Sequence, residues 1–175
     1  MLSKSILFII NFRLMYQIRS LQVQDNPEIA RIIRKVSKEF GLAAESGFAV
    51  ADSMLDNLFD FYCQPQAEYW VITDHNGQIF GGGGLSPLQG DSTVLEIQKM
   101  YFLPEIRSLG LAQQLLEKAF EFTQENGFQS CYLETTPVLF QAIKLYEKLG
   151  FEYLNHPKGH TGHSHVCEIW MEKRF

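Results

Sequence analysis

Polar and apolar residues alternate with a period of two from Tyr16 to Gln22, which predicts a first strand. Asp25-Asn26-Pro27 then supplies a cap and a proline suited to a first helical turn. The helical spacing of IARIIRKVSKEFG carries that helix to a closing glycine, Gly41. A second helix is predicted through Ser53 to Tyr62, with Met54, Leu55, Leu58, Phe59 and Tyr62 on one side. After Pro65 the period returns to two. YWVITD, a turn at His75-Asn76-Gly77 and QIFGGGGLSPL read as a hairpin, and Gly90-Asp91 turns the chain into a further strand, VLEIQKMYFL. Next come a long amphipathic helix closed by Gly127, the strand CYLETT, and a helix from Phe140 to Leu149 closed by Gly150. Two strands, FEYLN and VCEIWMEK, end the chain, separated by a loop rich in His and Gly. This order is an antiparallel meander joined to a strand–helix–strand crossover. It predicts an α/β domain of three layers, a mixed and mostly antiparallel sheet flanked by helices.

The length of 175 residues suits one domain, placed here at residues 15–175. Residues 1–14 form an N-terminal extension whose apolar run is too short to span a bilayer and lacks a signal-peptide cleavage pattern. Two readings remain for it: a loosely packed extra segment, or an over-extended start with Met15 as the natural initiator. A net charge of −5 with no basic run argues against nucleic acid or an anionic membrane as the main partner. Three scattered cysteines, Cys63, Cys131 and Cys167, point to a reducing compartment, and a cytoplasmic location is expected. Monomer and homodimer both stay open.

The chemistry concentrates after the strand at 94–103. Arg107-Ser108-Leu109-Gly110-Leu111-Ala112 has an R-x-x-G-x-A spacing where a helix begins. Gly110 lets the backbone approach a ligand, Ala112 keeps a third position small, and the first amides of a helix lack intrahelical partners. Such a turn is suited to phosphate oxygens. Gly81 to Gly84 invite a nucleotide-loop reading, but no helix start and no Lys-Ser/Thr follow them. They are expected to mark a bulge or a close approach, with a wall of a substrate site as the favoured role. His156, His160, His163 and His165, with Cys167, are too irregularly spaced for a metal centre, so no metal is expected.

LEIQKMYFLPEIRSLGLA (95–112) and AIKLYEKLGF (142–151) together resemble the acetyl-CoA-binding core of the GNAT superfamily of N-acetyltransferases, in particular its small bacterial members. The resemblance runs from about Tyr16 to the C-terminus. It implies a GNAT-like fold, acetyl-CoA as cofactor, and the pyrophosphate of coenzyme A on Arg107, Ser108, Leu109, Gly110, Leu111 and Ala112. The family's fourth and fifth strands splay apart. Met100, Tyr101 and Phe102 are the matching segment, with the Met100 N–H facing the thioester carbonyl. Two departures stand out. Ser108 replaces a common glycine, and Leu139 replaces an asparagine that often touches the cofactor.

The resemblance also implies two catalytic residues. Glu96 is the candidate base, sharing a face with Gln98 and Met100 if no bulge intervenes. Glu134 is a weaker alternative. Tyr146 is the candidate acid, its hydroxyl near the coenzyme sulfur. The loop GHTGHSH is expected to close over the acceptor. The implied activity is transfer of the acetyl group of acetyl-CoA to a primary amine of a small molecule such as an amino acid, by direct attack in a ternary complex. A non-catalytic acyl-CoA sensor is the alternative.

Overall fold

The structure is a computed structural model that describes residues 15–42, 52–162 and 164–175. The extension expected at 1–14 and His163 of the expected acceptor loop lie outside the described residues. A seven-stranded sheet forms the middle layer: β1 (Tyr16–Ser20), β2 (Glu68–Asp74), β3 (Ile79–Leu88), β4 (Asp91–Phe102), β5 (Ser130–Thr135), β6 (Glu152–Tyr153) and β7 (Ile169–Arg174). Their spatial order is β1-β2-β3-β4-β5-β7-β6. Every neighbouring pair is antiparallel except β4 and β5, which run parallel across a helical crossover. The mixed sheet flanked by helices has the architecture expected from the periodicity.

Helix α1 (Asn26–Glu39) and the short α2 (Leu58–Tyr62) cover one face. Ile29, Ile33 and Val36 of α1 pack with Leu58, Tyr62, Tyr69 and Val71. Helix α3 (Leu111–Glu125) and helix α4 (Phe140–Lys148) cover the other. There Leu111, Leu115 and Ala119 meet Trp70, Leu85 and Leu95, while Ile143 and Tyr146 meet Ile97, Leu133 and Met171. The two faces take alternate residues where the strands are regular, as a pleated sheet requires.

Local differences from expectation have identifiable causes. The helix expected from Ser53 begins as a 3-10 turn at Ser53–Asn57, whose cap is the Asp52 side chain accepting from the Met54 amide at 2.8 Å. Asp25 precedes α1 as expected, yet its carboxylate turns to Arg19 at 2.6 Å and to the Gln22 amide at 2.8 Å. The strand expected at FEYLN shrinks to Glu152–Tyr153, and Phe151 before it packs in the core with Tyr146. Gly127 and Gly150 end α3 and α4 with φ of 76° and 85°, the left-handed conformation that glycine adopts without a Cβ penalty.

Candidate active site

The parallel pairing of β4 with β5 is short. Val94, Leu95 and Glu96 pair with Ser130, Cys131 and Tyr132, and beyond Glu96 the strands part. The parting opens a cleft lined by Glu96, Gln98 and Met100 from β4, Glu134 from β5, and Leu139 and Tyr146 from the α4 side. Leu42, Thr136 and Cys167 also reach it.

A bulge in β4 decides which side chains meet there. Gly82 pairs with Tyr101 but Gly84 pairs with Gln98, so β4 holds one extra residue, and Lys99 has φ of 50°. The bulge reverses the alternation. Glu96 and Gln98 stay on the face covered by α1 and α2, while Met100 turns to the α3 face and packs with Leu85 and Leu115. The shared face expected for Glu96, Gln98 and Met100 is therefore corrected. Glu96 and Met100 reach the cleft from opposite sides of the sheet.

Glu96 is buried, 4% exposed, and its Oε2 accepts from Gln98 Nε2 at 2.6 Å. Gln98 Oε1 in turn accepts from the Tyr62 hydroxyl at 2.9 Å and from Ser86 Oγ at 3.2 Å. An amide that donates to the carboxylate and accepts from two hydroxyls holds the Glu96 side chain in place. Glu134 lies on the same face, its Oε1 accepting from the Tyr132 hydroxyl and from Ser164 Oγ, each at 2.7 Å. Ser164 belongs to the loop between β6 and β7, so this carboxylate fastens that loop over the end of β5. The same loop is held again by Lys158, whose amide donates to the Tyr132 hydroxyl and whose ammonium pairs with Glu172.

Tyr146 comes from the other side. It is 7% exposed and packs on Phe151 with ring centroids 5.6 Å apart, and its hydroxyl makes no hydrogen bond among the described residues. Burial, with a smaller contribution from Tyr101, pushes its hydroxyl well above the ordinary phenol range. The group is thus held protonated, the state a proton donor needs. Burial pushes the thiols of Cys167 and Cys131 up to about 12, which disfavours the thiolate form that a nucleophile requires.

At the head of α3, Ser108 and Gly110 have φ of 62° and 79°. A left-handed Ser108 explains why glycine suits this position and marks local strain. The first amide to bond back into the helix is that of Gln114, to the Gly110 carbonyl at 3.1 Å. The amides of Leu111, Ala112 and Gln113 precede it, no side chain caps the helix, and its first turn has no acidic residue. These features, in line with a cleft between parted strands, fit a coenzyme that carries a diphosphate and a long arm. Leu139 faces the cleft without a polar group, as its identity implied.

Arg107 does something the spacing did not reveal. Its Nε donates to the Phe102 carbonyl at 2.9 Å, its two terminal nitrogens grip both oxygens of Glu39, and its guanidinium lies 5.2 Å from the centre of the Phe40 ring. The side chain braces the turn against the end of α1 rather than projecting from it.

Gly81 to Gly84 are packing residues and do not line the cleft. A Cβ on Gly84 would lie 2.6 Å from the Tyr69 ring, and one on Gly83 would lie 2.8 Å from Met100 Cγ. The glycines make room for the aromatic core on one face and the turned Met100 on the other. The histidine loop packs on the β3–β4 turn through the His160 amide and the Gln89 carbonyl, 2.8 Å apart. Among the described residues no group of three or more His, Cys, Asp or Glu side chains is arranged to hold a metal ion.

The acetyltransferase (GNAT) family model matches residues 31–151, and the chain belongs to that family of acetyl-CoA-dependent N-acetyltransferases. It is 53% identical over 154 residues to the uncharacterized N-acetyltransferase YjgM of Escherichia coli K12, covering 87% of this chain and 91% of that protein. It is 30% identical over 101 residues to N-acetylaspartate synthetase of Danio rerio, covering 58% of this chain and 36% of that protein. Among solved structures, a GNAT acetyltransferase from Staphylococcus aureus Mu50 superposes with a TM-score of 0.77 at 18% identity, over 91% of this chain and 98% of that one. PaiA N-acetyltransferase of Thermoplasma acidophilum, in complex with coenzyme A, superposes with a TM-score of 0.71 at 16% identity, over 91% and 99%.

Proposed function

We propose that this enzyme acetylates a primary amine on a small molecule such as an amino acid, by direct attack within a ternary complex. The observation that carries this reading is the division of labour across the parted sheet. Two carboxylates, Glu96 and Glu134, enter the cleft from the face of α1 and α2, and one protonated phenol, Tyr146, enters from the face of α4. An amine must lose a proton to attack, and a departing thiolate benefits from gaining one, so base and acid are wanted on opposite sides of the reacting carbon.

When bound, acetyl-CoA supplies the acetyl thioester. The residues that would hold it are Arg107, Ser108, Leu109, Gly110, Leu111 and Ala112 for the diphosphate, and the backbone of Met100, Tyr101 and Phe102 for the arm. Glu96 takes the amine's proton at its carboxylate, kept in place by Gln98. Tyr146 gives its hydroxyl proton to the leaving sulfur. Met100 N–H donates to the carbonyl oxygen, a role in which side-chain identity matters little. With both thiols held protonated, direct transfer is favoured over an acyl-enzyme.

The relatives named N-acetylaspartate synthetase support an amino-acid acceptor. The free cysteines and the absence, among the described residues, of a helix long and apolar enough to cross a membrane support a cytoplasmic enzyme, working as a monomer or homodimer. A thiol-release assay with acetyl-CoA across amino acids, polyamines and peptides tests the reading. Release with a free amino acid is expected. Release with peptides alone would contradict the acceptor class, and none with any amine would contradict catalysis.

A further inference from the structure

Lys99 adopts a left-handed conformation, φ 50°, at a residue with a full side chain. Such a conformation is costly for a residue with a Cβ and persists only where surrounding contacts hold it. Three contacts do so. The Lys99 carbonyl accepts from the hydroxyl of Tyr69, a fully buried side chain, at 3.0 Å. The Lys99 ammonium pairs with Asp52 at 2.7 Å, with the lysine side chain only 9% exposed. Gly83, across the strand pair, leaves the space that the turned Met100 side chain fills. Everything that fixes the bulge also fixes the peptide plane between Lys99 and Met100. That plane carries the N–H assigned above to the thioester carbonyl.

Asp52 comes from a different part of the chain. It caps the turn that leads into α2, the helix whose Tyr62 orients Gln98 and through it Glu96. One short stretch, 52–62, therefore touches both the strained residue and the string leading to the carboxylate. We infer that Asp52 and Lys99 form a positioning pair, an ion pair that aims the Met100 amide into the cleft. Neither residue exchanges a proton with substrate. Their effect passes through the backbone, and misplacement of a catalytic donor by a fraction of an ångström is enough to slow turnover.

This inference rests on the proposed acetyl transfer, and two variants separate the fates of the two. Asp52→Asn removes the charge from a partly exposed carboxylate at nearly constant shape. Lys99→Gly removes the tether yet accepts φ 50° without steric cost, so the bulge stays available and the fold is spared. Thiol release is followed with the amine that the unmodified enzyme turns over fastest, and coenzyme A binding is followed by calorimetry. In both variants kcat is expected to fall on the order of tenfold, with coenzyme A affinity within about twofold of the parent. Asp52→Glu, which keeps the charge, is expected to recover part of the loss. A folded Lys99→Gly or Asp52→Asn enzyme with unchanged kcat overturns the pair's role while leaving the acetyl transfer standing. A parent enzyme that binds no coenzyme A, or releases no thiol with any amine, overturns both.

Discussion

The turn at the head of α3 and the carboxylate side of the cleft are built on opposite plans. The turn works through its backbone: two left-handed residues and helix amides with no partner behind them. Its conformation is written in six consecutive residues, with one long-range brace from Arg107 to Glu39. The carboxylate side works through side chains brought from four elements, with Glu96 held by Gln98, Gln98 by Tyr62, and Glu134 by Tyr132 and Ser164. Its properties follow from strand register and long-range contact. A site for the common donor can thus stay constant while the acceptor side is rebuilt residue by residue.

Substitutions on the two sides should separate cleanly. The largest effect is expected at Tyr146, which joins them: Tyr146→Phe should lower kcat on the order of 100-fold, with coenzyme A affinity unchanged by calorimetry. An unchanged kcat would return this tyrosine to a packing role on Phe151. Next comes Glu96→Gln, which keeps the shape of the buried group and its place beside Gln98. A fall in kcat of tens of fold is expected, larger than for Glu134→Gln. The reverse ranking would make Glu134 the base.

Arg107→Ala acts on the other side. It removes the brace to Glu39 and to the Phe102 carbonyl, and it should weaken acetyl-CoA binding about tenfold while kcat at saturation is kept. Glu39→Gln should reproduce part of that loss, because the guanidinium holds the turn through its partner. The smallest effect is expected from Ser108→Gly. Relieving a left-handed serine should raise stability by about 1 kcal/mol, visible as a higher midpoint in urea, with coenzyme A affinity unaltered.

The same contrast governs what could be read from the sequence. The strands, the helix closures at Gly127 and Gly150, and the helix start after Arg107 are local patterns, and each was legible. The splay of β4 from β5 and the place of Tyr146 were legible through the family resemblance. The bulge at Lys99 was not. Lysine has no preference for positive φ, and the conformation is imposed by Tyr69, Asp52 and Gly83, residues scattered along the chain. The glycine run signals the bulge and close approach expected of four adjacent glycines in a paired strand, and the approaching groups are Tyr69, Tyr101 and Met100. The grip of Arg107 on Glu39 spans 68 residues of sequence and left no local trace. Gln98, Tyr62 and Cys167 reach the site for the same reason, through register and packing alone.

The central claim is that main-chain amides at the head of α3 hold the diphosphate and lay the sulfur between the parted strands. A crystal structure with coenzyme A tests it most directly. The account expects phosphate oxygens within hydrogen-bond distance of the amides between Leu109 and Gln113, and the sulfur in the β4–β5 cleft beside the Tyr146 hydroxyl. Coenzyme A lodged against another surface, with those amides untouched, would contradict it.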